Sequence, residues 1–528
     1  MPACKVPCAY MGWIYRIEGV FSSISDKILP VKLIRHEVKR GRSFTWWQSP
    51  ETACRSRQAG RLYRSQLLVF KHRLNFQIAR PFLMRVTRTV KASFWVVAAL
   101  LLPTHAFGET LLEVYQLASQ NDPKFRSIKA EARASGMAVE VARAGFLPTI
   151  RYDHEENRTR QQILSSKNPI FGAGVMTFPT FSGTLSVTQP IFRMDVIERF
   201  AQAKSVVKQA EYTVLAAEQD LQLRTIAAYL IVLAATDSLA LATAEREAVG
   251  KLLDVAREKR KAGLGTVTQL YDATARFAVT QAREIEAQNK LRDAHQGLRE
   301  ITGRMIQNVQ SLRDDFPLET PSPTAIEPWL ESAMDRNLIL RARTEAVEVA
   351  RLEVERQRAG HYPSLNLLVS RNQKDAGSTL FGGGSNVVTT DTILRLTVPI
   401  YEGGMTSAVT EEAAHRYQKA QEDAELERRV VERAARAAFD GALNGVNLVQ
   451  ALKQSVVAQA SALEAKTEGY KAGLNTLLPV LDAQRDLYLA RRDYAQSRYE
   501  YLINRLKLKQ AAGTLSETDL VGISSALR

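Results

Sequence analysis

The sequence predicts a mainly helical chain with a little β-structure, built as two copies of one unit of very long helices plus two short strands. Three observations carry that prediction. Residues 469–514 begin at a break, Ala472-Gly473-Leu474-Asn475-Thr476, and then contain no glycine until Gly513. Good helix formers between bounding glycines mark a single helix. Within it Val480, Leu487, Tyr494, Tyr501 and Leu508 recur every seven residues, with Leu481, Tyr488, Ala495 and Leu502 as a second rail. A seven-residue apolar repeat makes a helix supercoil against neighbours. The third observation is that the stretch occurs twice. Lys261-Ala262-Gly263-Leu264 matches Lys471-Ala472-Gly473-Leu474 at an offset of 210, Asp272-Ala273 falls on Asp482-Ala483, and Gly303 falls on Gly513. Leu270, Phe277, Leu291 and Leu298 occupy four of the five rail positions, and Glu284 is the one break. An ungapped register of 41 residues with both glycines in place reads as internal duplication.

Charge divides the chain. Its formal +15 suggests nucleic acid or a membrane surface, but residues 1–108 hold 18 of the 71 Lys and Arg and only 4 of the 56 Asp and Glu. The rest carries 53 basic and 52 acidic residues and no cysteine, since Cys4, Cys8 and Cys54 all lie upstream. No disulfide, thiolate nucleophile or cysteine-ligated metal is therefore expected there. Residues 84–108 have the layout of a secretory signal: Arg85, Arg88 and Lys91, an apolar run over 93–102, Pro103, and Ala106-Phe107-Gly108 before Glu109. Translation is expected to start at Met84, with residues 1–83 a mis-assigned upstream extension; a real, partly disordered basic extension is the alternative. The apolar stretch 226–236 is too short to span a bilayer, so no transmembrane helix is expected after the signal.

The order of elements follows. Residues 109–144 read as a helix broken early at Asp122-Pro123, and 149–160 as a polar strand. Residues 161–180 read as a loop, and 181–192 alternate, with Leu185, Val187 and Gln189 on one face and Thr184, Ser186 and Thr188 on the other. From Met194 to Ala262 there is one glycine and no proline, and a helix of that length reaches about 100 Å. The chain turns at Gly263, and Thr266-x-x-Gln269 has the form of a capping box for a return helix ending at Gly303. Residues 304–328 are proline-rich and form the linker between a first repeat, 109–303, and a second, 329–528. The second repeat gives a helix over 327–359, a strand over 364–371, a Gly/Ser/Asn loop over 372–390, a strand over 392–401, a long helix over 405–472 and the return helix. Gly145 to Pro148 match Gly360 to Pro363, and Pro190-Ile191-Phe192 matches Pro399-Ile400-Tyr401. Four strands cannot close a sheet, and lipid leaves open strand edges unpaired. Two readings stay open on periodicity alone: a water-facing sheet, or several chains pooling strands into one barrel.

The segments GYKAGLNTLLPVLDAQRDLY and YEYLINRLKLKQAAGTLSETDL, with the pairs Gln189-Pro190 and Val398-Pro399, resemble the TolC-type outer membrane efflux protein family across nearly all of 109–527. The resemblance implies a homotrimer, with twelve strands in one outer-membrane barrel and a helical α-barrel across the periplasm. It implies no catalysis, no cofactor and no nucleic-acid partner. The partners it implies are a periplasmic adaptor and an inner-membrane pump of ABC, RND or MFS type, with drugs or type I secreted proteins as cargo. The loops 161–180 and 372–390 would face the exterior. In such proteins residues around the glycine turns close the periplasmic entrance. The matching gate positions here are Tyr470, Asp482, Asp272, Thr268, Gln269 and Asn475, beside the turn glycines Gly263 and Gly473. Asn475 and Pro479 stand where the family has an arginine and an aspartate, so charge-assisted links of the family's kind are not expected there. A periplasmic coiled-coil adaptor or structural protein is the alternative. No Gly-x-Ser-x-Gly, P-loop or His-Glu-x-x-His occurs, so an enzyme is not expected.

Overall fold

The computed structural model describes residues 109–165, 174–313, 315–378 and 383–527. The upstream extension, the signal segment and the central parts of both strand-connecting loops lie outside the described residues. The first helical segment is three helices, α1 (Leu111–Asn121), α2 (Pro123–Gly136) and α3 (Ala138–Ala144). Asp122 makes the break: its carboxylate caps α2 by accepting from Phe125 N, and Pro123 needs no N–H partner at the first position. The corresponding helix of the second repeat is likewise split, into α6 (Glu327–Arg336) and α7 (Leu338–Arg358). Asn337 divides them because its side chain accepts from Ile339 N and Leu340 N. The break at Asn337 and the one between α2 and α3 were not expected.

Each repeat contributes two strands: β1 (Thr149–Ile163) and β2 (Gly174–Phe192), then β3 (Ser364–Ala376) and β4 (Ser385–Thr397). They form one antiparallel sheet in the order β1-β2-β3-β4, so β1 and β4 have free edges. The strands extend well into both expected loops, with Ile163 opposite Gly174 and Ala376 opposite Ser385. Gly174 and Pro179 in β2, and the polar residues of 372–376 and 385–386, made these ends read as loop, because their partners are strands rather than a core. At the other end β4 stops at Thr397, short of the expected Tyr401.

The long helices are α4 (Met194–Lys261) and α8 (Met405–Lys471), returning as α5 (Val267–Thr302) and α9 (Leu477–Ala511); α10 (Glu517–Ser525) closes the chain. Near the sheet, α4 packs on α2, α3 and α7, and α7 packs on α8; towards the glycine turns, α4 packs on α5 and α9, and α9 on α8. The heptad rail is the buried face: Val480, Leu487, Tyr501 and Leu508 are buried, and Tyr494 packs against the same core. One window of α4 is apolar and long enough to cross a membrane by composition. Within this helix Ile226, Tyr229, Leu230, Val232 and Leu233 are buried in the main core with α1, α9 and the linker.

The linker is tied down rather than loose. Val309 bridges to Glu109 and Leu312 to Leu527. The Tyr501 hydroxyl donates to Glu319 O at 2.6 Å and accepts from Glu319 N at 3.0 Å. Buried Tyr229 accepts from Gln310 N, and burial pushes its hydroxyl pKa up to about 12.

Candidate functional site: the glycine-turn end of the helices

The two turns have the same backbone. Gly263 has φ +73° and Gly473 φ +77°, a left-handed conformation that a side chain would strain. In the first, Leu264 N donates to Lys259 O at 2.8 Å and Gly263 N to Arg260 O at 3.1 Å. In the second, Leu474 N donates to Gly469 O and Gly473 N to Tyr470 O at the same two distances. Leu264 and Leu474 are each 81% exposed at the tips. Lys261 and Lys471 pair with Glu258 and Glu468, both at 2.8 Å. Sequence repetition is thus repetition of structure.

The side chains behind the turns are not equivalent. Val249, Leu253 and Ala256 of α4, Ala273 of α5, and Leu477 and Leu481 of α9 form a small core, with Phe277 and Tyr470 packed against it. This core draws α5 and α9 together. Asp482, half-buried on α9, accepts from Nη2 of Arg276 on α5 at 2.6 Å, and Nη1 of Arg485 lies 3.7 Å away. Asp272, its repeat equivalent, makes no ion pair or side-chain hydrogen bond among the described residues. The register explains the difference. The position equivalent to Arg276 is Asp486, so the second repeat offers Asp272 no cation there, and Asp486 is itself held by Arg485 at 2.8 Å. The expectation that no charge-assisted link of the family's kind forms at Asn475 and Pro479 concerned those two positions alone. The charge-assisted link at this end joins α5 to α9 through Arg276.

Tyr470 packs its ring on the small core under Nζ of Lys259, 4.2 Å from the ring centroid. Its hydroxyl is buried without a hydrogen-bond partner among the described residues. Asn475 folds back over the helix end: its N donates to Gly469 O at 3.2 Å, and its side chain fills the space a Cβ on Gly469 would need. Thr268 is exposed on the first turn of α5. Gln269 acts through its backbone, donating to Thr266 Oγ1 at 3.2 Å, so the capping interaction is present in that direction.

Further along, Glu284 occupies its rail position for a reason. It accepts from Thr243 Oγ1 at 2.9 Å and lies 2.7 Å from Nε of Arg246. Next to it Glu245, 5% exposed on α4, accepts from Arg283 at 3.0 Å. Burial raises the Glu245 pKa, against the pull of Arg283 and Arg276. Sequence reasoning missed Arg276, Lys259 and the Glu245–Arg283 pair. Comparing charges at the 210-residue offset would have flagged Arg276, an arginine where the other repeat has an aspartate.

Duplicated helical hairpins about 100 Å long, tipped by a sheet with open edges, define the class of outer-membrane channel-tunnels. Comparison with known proteins agrees. The family described as outer membrane efflux protein matches residues 114–304 and 329–514. The outer membrane protein TolC of Vibrio cholerae is 32% identical over 431 residues, 81% of this chain and 96% of that protein. The proteases secretion protein PrtF of Dickeya chrysanthemi is 29% identical, over 79% of this chain and 90% of that protein. The Campylobacter jejuni CmeC outer membrane channel shares the fold, with a TM-score of 0.69 at 18% identity over 80% of this chain and 90% of that one. The chain belongs to the outer membrane efflux protein family. It is an outer-membrane channel, and because the match runs through both repeats, the adaptor or structural-protein alternative falls away.

Proposed function

We propose that the protein works as a homotrimer whose strands pool into one twelve-stranded barrel, with the helices forming a tunnel across the periplasm. The observation that carries this reading is the sheet. Its edges β1 and β4 are unpaired, and one face is apolar: Ile150, Tyr152, Leu185, Val187, Leu367, Val369, Leu394 and Leu396 share it in register. Gln189 and Thr392 share this face, Arg371 and Thr390 lie level with Tyr152 and Leu185, and His154, Glu156, Arg158 and Arg160 follow towards the loop end. The opposite face carries Arg151, Asp153, Glu155, Ser186, Asn372, Asp391 and Arg395. A sheet with an apolar and a polar face is stable in lipid only when closed, with the polar face inward. The loops between strands then face the exterior. The glycine turns form the periplasmic entrance, where Asp482, Arg276, Tyr470 and Lys259 line or brace the mouth.

The channel would open to a periplasmic adaptor and an inner-membrane pump of the ABC, RND or MFS class. PrtF and AprF, named for protease secretion, match at 29% and 28% identity, and efflux proteins such as BepC at 24%. That order favours polypeptide cargo over drugs. Membrane fractionation with unboiled gel electrophoresis tests the assembly. A heat-modifiable trimer in the outer membrane supports it, and a soluble periplasmic monomer refutes it.

A further inference from the structure

The two free edges of the sheet carry enough pattern to fix how neighbouring copies meet. Following the ladder across one chain, Arg151 lies level with Ser186, Ser370 and Asp391, and Asn157 with Thr180, Ala376 and Ser385. In a closed barrel of tilted strands these rows do not meet themselves. For twelve strands about 4.8 Å apart, tilted about 35–45° with a rise of about 3.4 Å per residue, the stagger is about 12–17 residues per circuit, or about four to six per copy. The sense of the stagger follows from the strand lengths. β1 rises six residues beyond the row of Ser385, from Arg158 to Ile163, and only β2 pairs with that stretch. A shift that carries β4 up alongside it pairs both edges, whereas the opposite shift leaves most of both edges bare, which lipid does not tolerate.

An odd offset would put the polar face of one copy beside the apolar face of the next, so the offset is even. That leaves four or six. The apolar face leans towards four, which sets Ile150 against Leu396 and Tyr152 against Leu394, while six sets Tyr152 against Leu396 and His154 against Leu394; neither opposes like charges there. The polar face separates them. At four, Arg395 would face Arg151 and Asp391 would face Glu155, two like-charge pairs directly opposite, which destabilise a sheet. At six, Arg395 faces Asp153 and Asp391 faces Asn157. In the single chain Arg395 and Asp153 are both exposed, and neither makes an ion pair among the described residues.

We propose that β4 of one copy pairs with β1 of the next at an offset of six residues, so that Arg395 meets Asp153 of the partner subunit on the inner wall of the barrel. Three such pairs form a ring of seam links, and Ser385 comes level with Ile163 of the partner subunit at the outer end. The inference rests on the trimeric reading above and adds the register, which that reading leaves free.

Disulfide trapping tests it, because residues 109–528 contain no cysteine. The double variant Asp153→Cys/Arg395→Cys is prepared from outer membranes, oxidised, and run boiled without reductant, beside Arg151→Cys/Arg395→Cys. A covalent trimer from the first pair and monomer from the second is the expected result. Trapping by the second pair alone, or by neither pair in a protein that still runs as a trimer unboiled, overturns the register while leaving the assembly intact. A monomer on the unboiled gel overturns the assembly itself. As a chemical check that does not depend on thiol geometry, Arg395→Asp is expected to lower the temperature at which the trimer dissociates, and adding Asp153→Arg is expected to restore it. Failure of that rescue, with each single variant still trimeric, also counts against the pairing.

Discussion

Replacing Asp482 by asparagine removes one of the two charges in the α5–α9 link and leaves the other. The carboxylate lies 2.6 Å from Nη2 of Arg276, and the two side chains are 37% and 19% exposed. A charge-assisted bond this short but half-open to water contributes about 1 kcal/mol net, so the variant is expected to fold and assemble. Its electrostatic effect is larger in kind. On the proposed assembly Arg276 loses its nearest carboxylate at the mouth in each copy, three in a trimer, with Glu245 of α4 still acting on it from behind. An unpaired charge about 8 Å from a permeating ion in water is worth about 0.5 kcal/mol, and three are worth about 1.5 kcal/mol, reduced to about 1 by salt. That is about fivefold against cations and about fivefold in favour of anions, so about a 25-fold shift of the cation-to-anion permeability ratio towards anions. Arg276→Gln leaves the Asp482 carboxylate with only Arg485, 3.7 Å away, and is expected to shift the ratio a smaller distance towards cations. The double variant, with both charges gone, is expected to return close to the parent. Reversal potentials in planar bilayers under a salt gradient measure all three. If Arg276→Gln leaves selectivity unchanged, or if the two single variants shift it the same way, the pair does not line the permeation path and its placement at the entrance is wrong.

Three other expectations concern stability. The Glu353 carboxylate on α7 is desolvated, which raises its pKa, but hydrogen bonds from Arg356, Gln357 and Gln202 of α4 outweigh this and hold it at about 2. A carboxylate with a lowered folded pKa gives stability that is complete above its ordinary 4.5 and lost as pH falls towards 2, about 1–2 kcal/mol here after solvent screening. Glu353→Gln is therefore expected to lower denaturant stability at pH 7 and to flatten its decline between pH 4.5 and pH 2; an unchanged acid profile would count against the bridge from α4 to α7. Gly473→Ala puts a side chain at φ +77° with open space around it, so about 1 kcal/mol of backbone strain is expected, read as faster amide exchange confined to the α8–α9 tip. Tyr501→Phe strips both hydrogen bonds to Glu319 from a buried hydroxyl and is expected to cost about 1–3 kcal/mol, measured as a lowered unfolding midpoint; no change would mean the linker is not held there.

The duplication, the heptad rails and both glycine turns were legible in the sequence because each depends on local rules. A glycine is needed wherever a helix ends in a left-handed residue, and an apolar residue recurs wherever a helix meets a neighbour along its length. The strand ends at 161–163, 174–180, 372–376 and 385–391 were not legible, because Gly174, Pro179 and the polar residues around them read as loop while these segments pair with other strands and face no core. The split at Asn337 looked like continuous helix because its cap depends on one side-chain rotamer. At the glycine-turn end Asp272 and Asp482 take equivalent positions in the two repeats of the sequence. Only the packing of Ala273, Leu477 and Leu481 brought Arg276 within reach of one acid and left the other without it, since helix spacing fixes which face a charge occupies while the approach of two helices decides which charges meet.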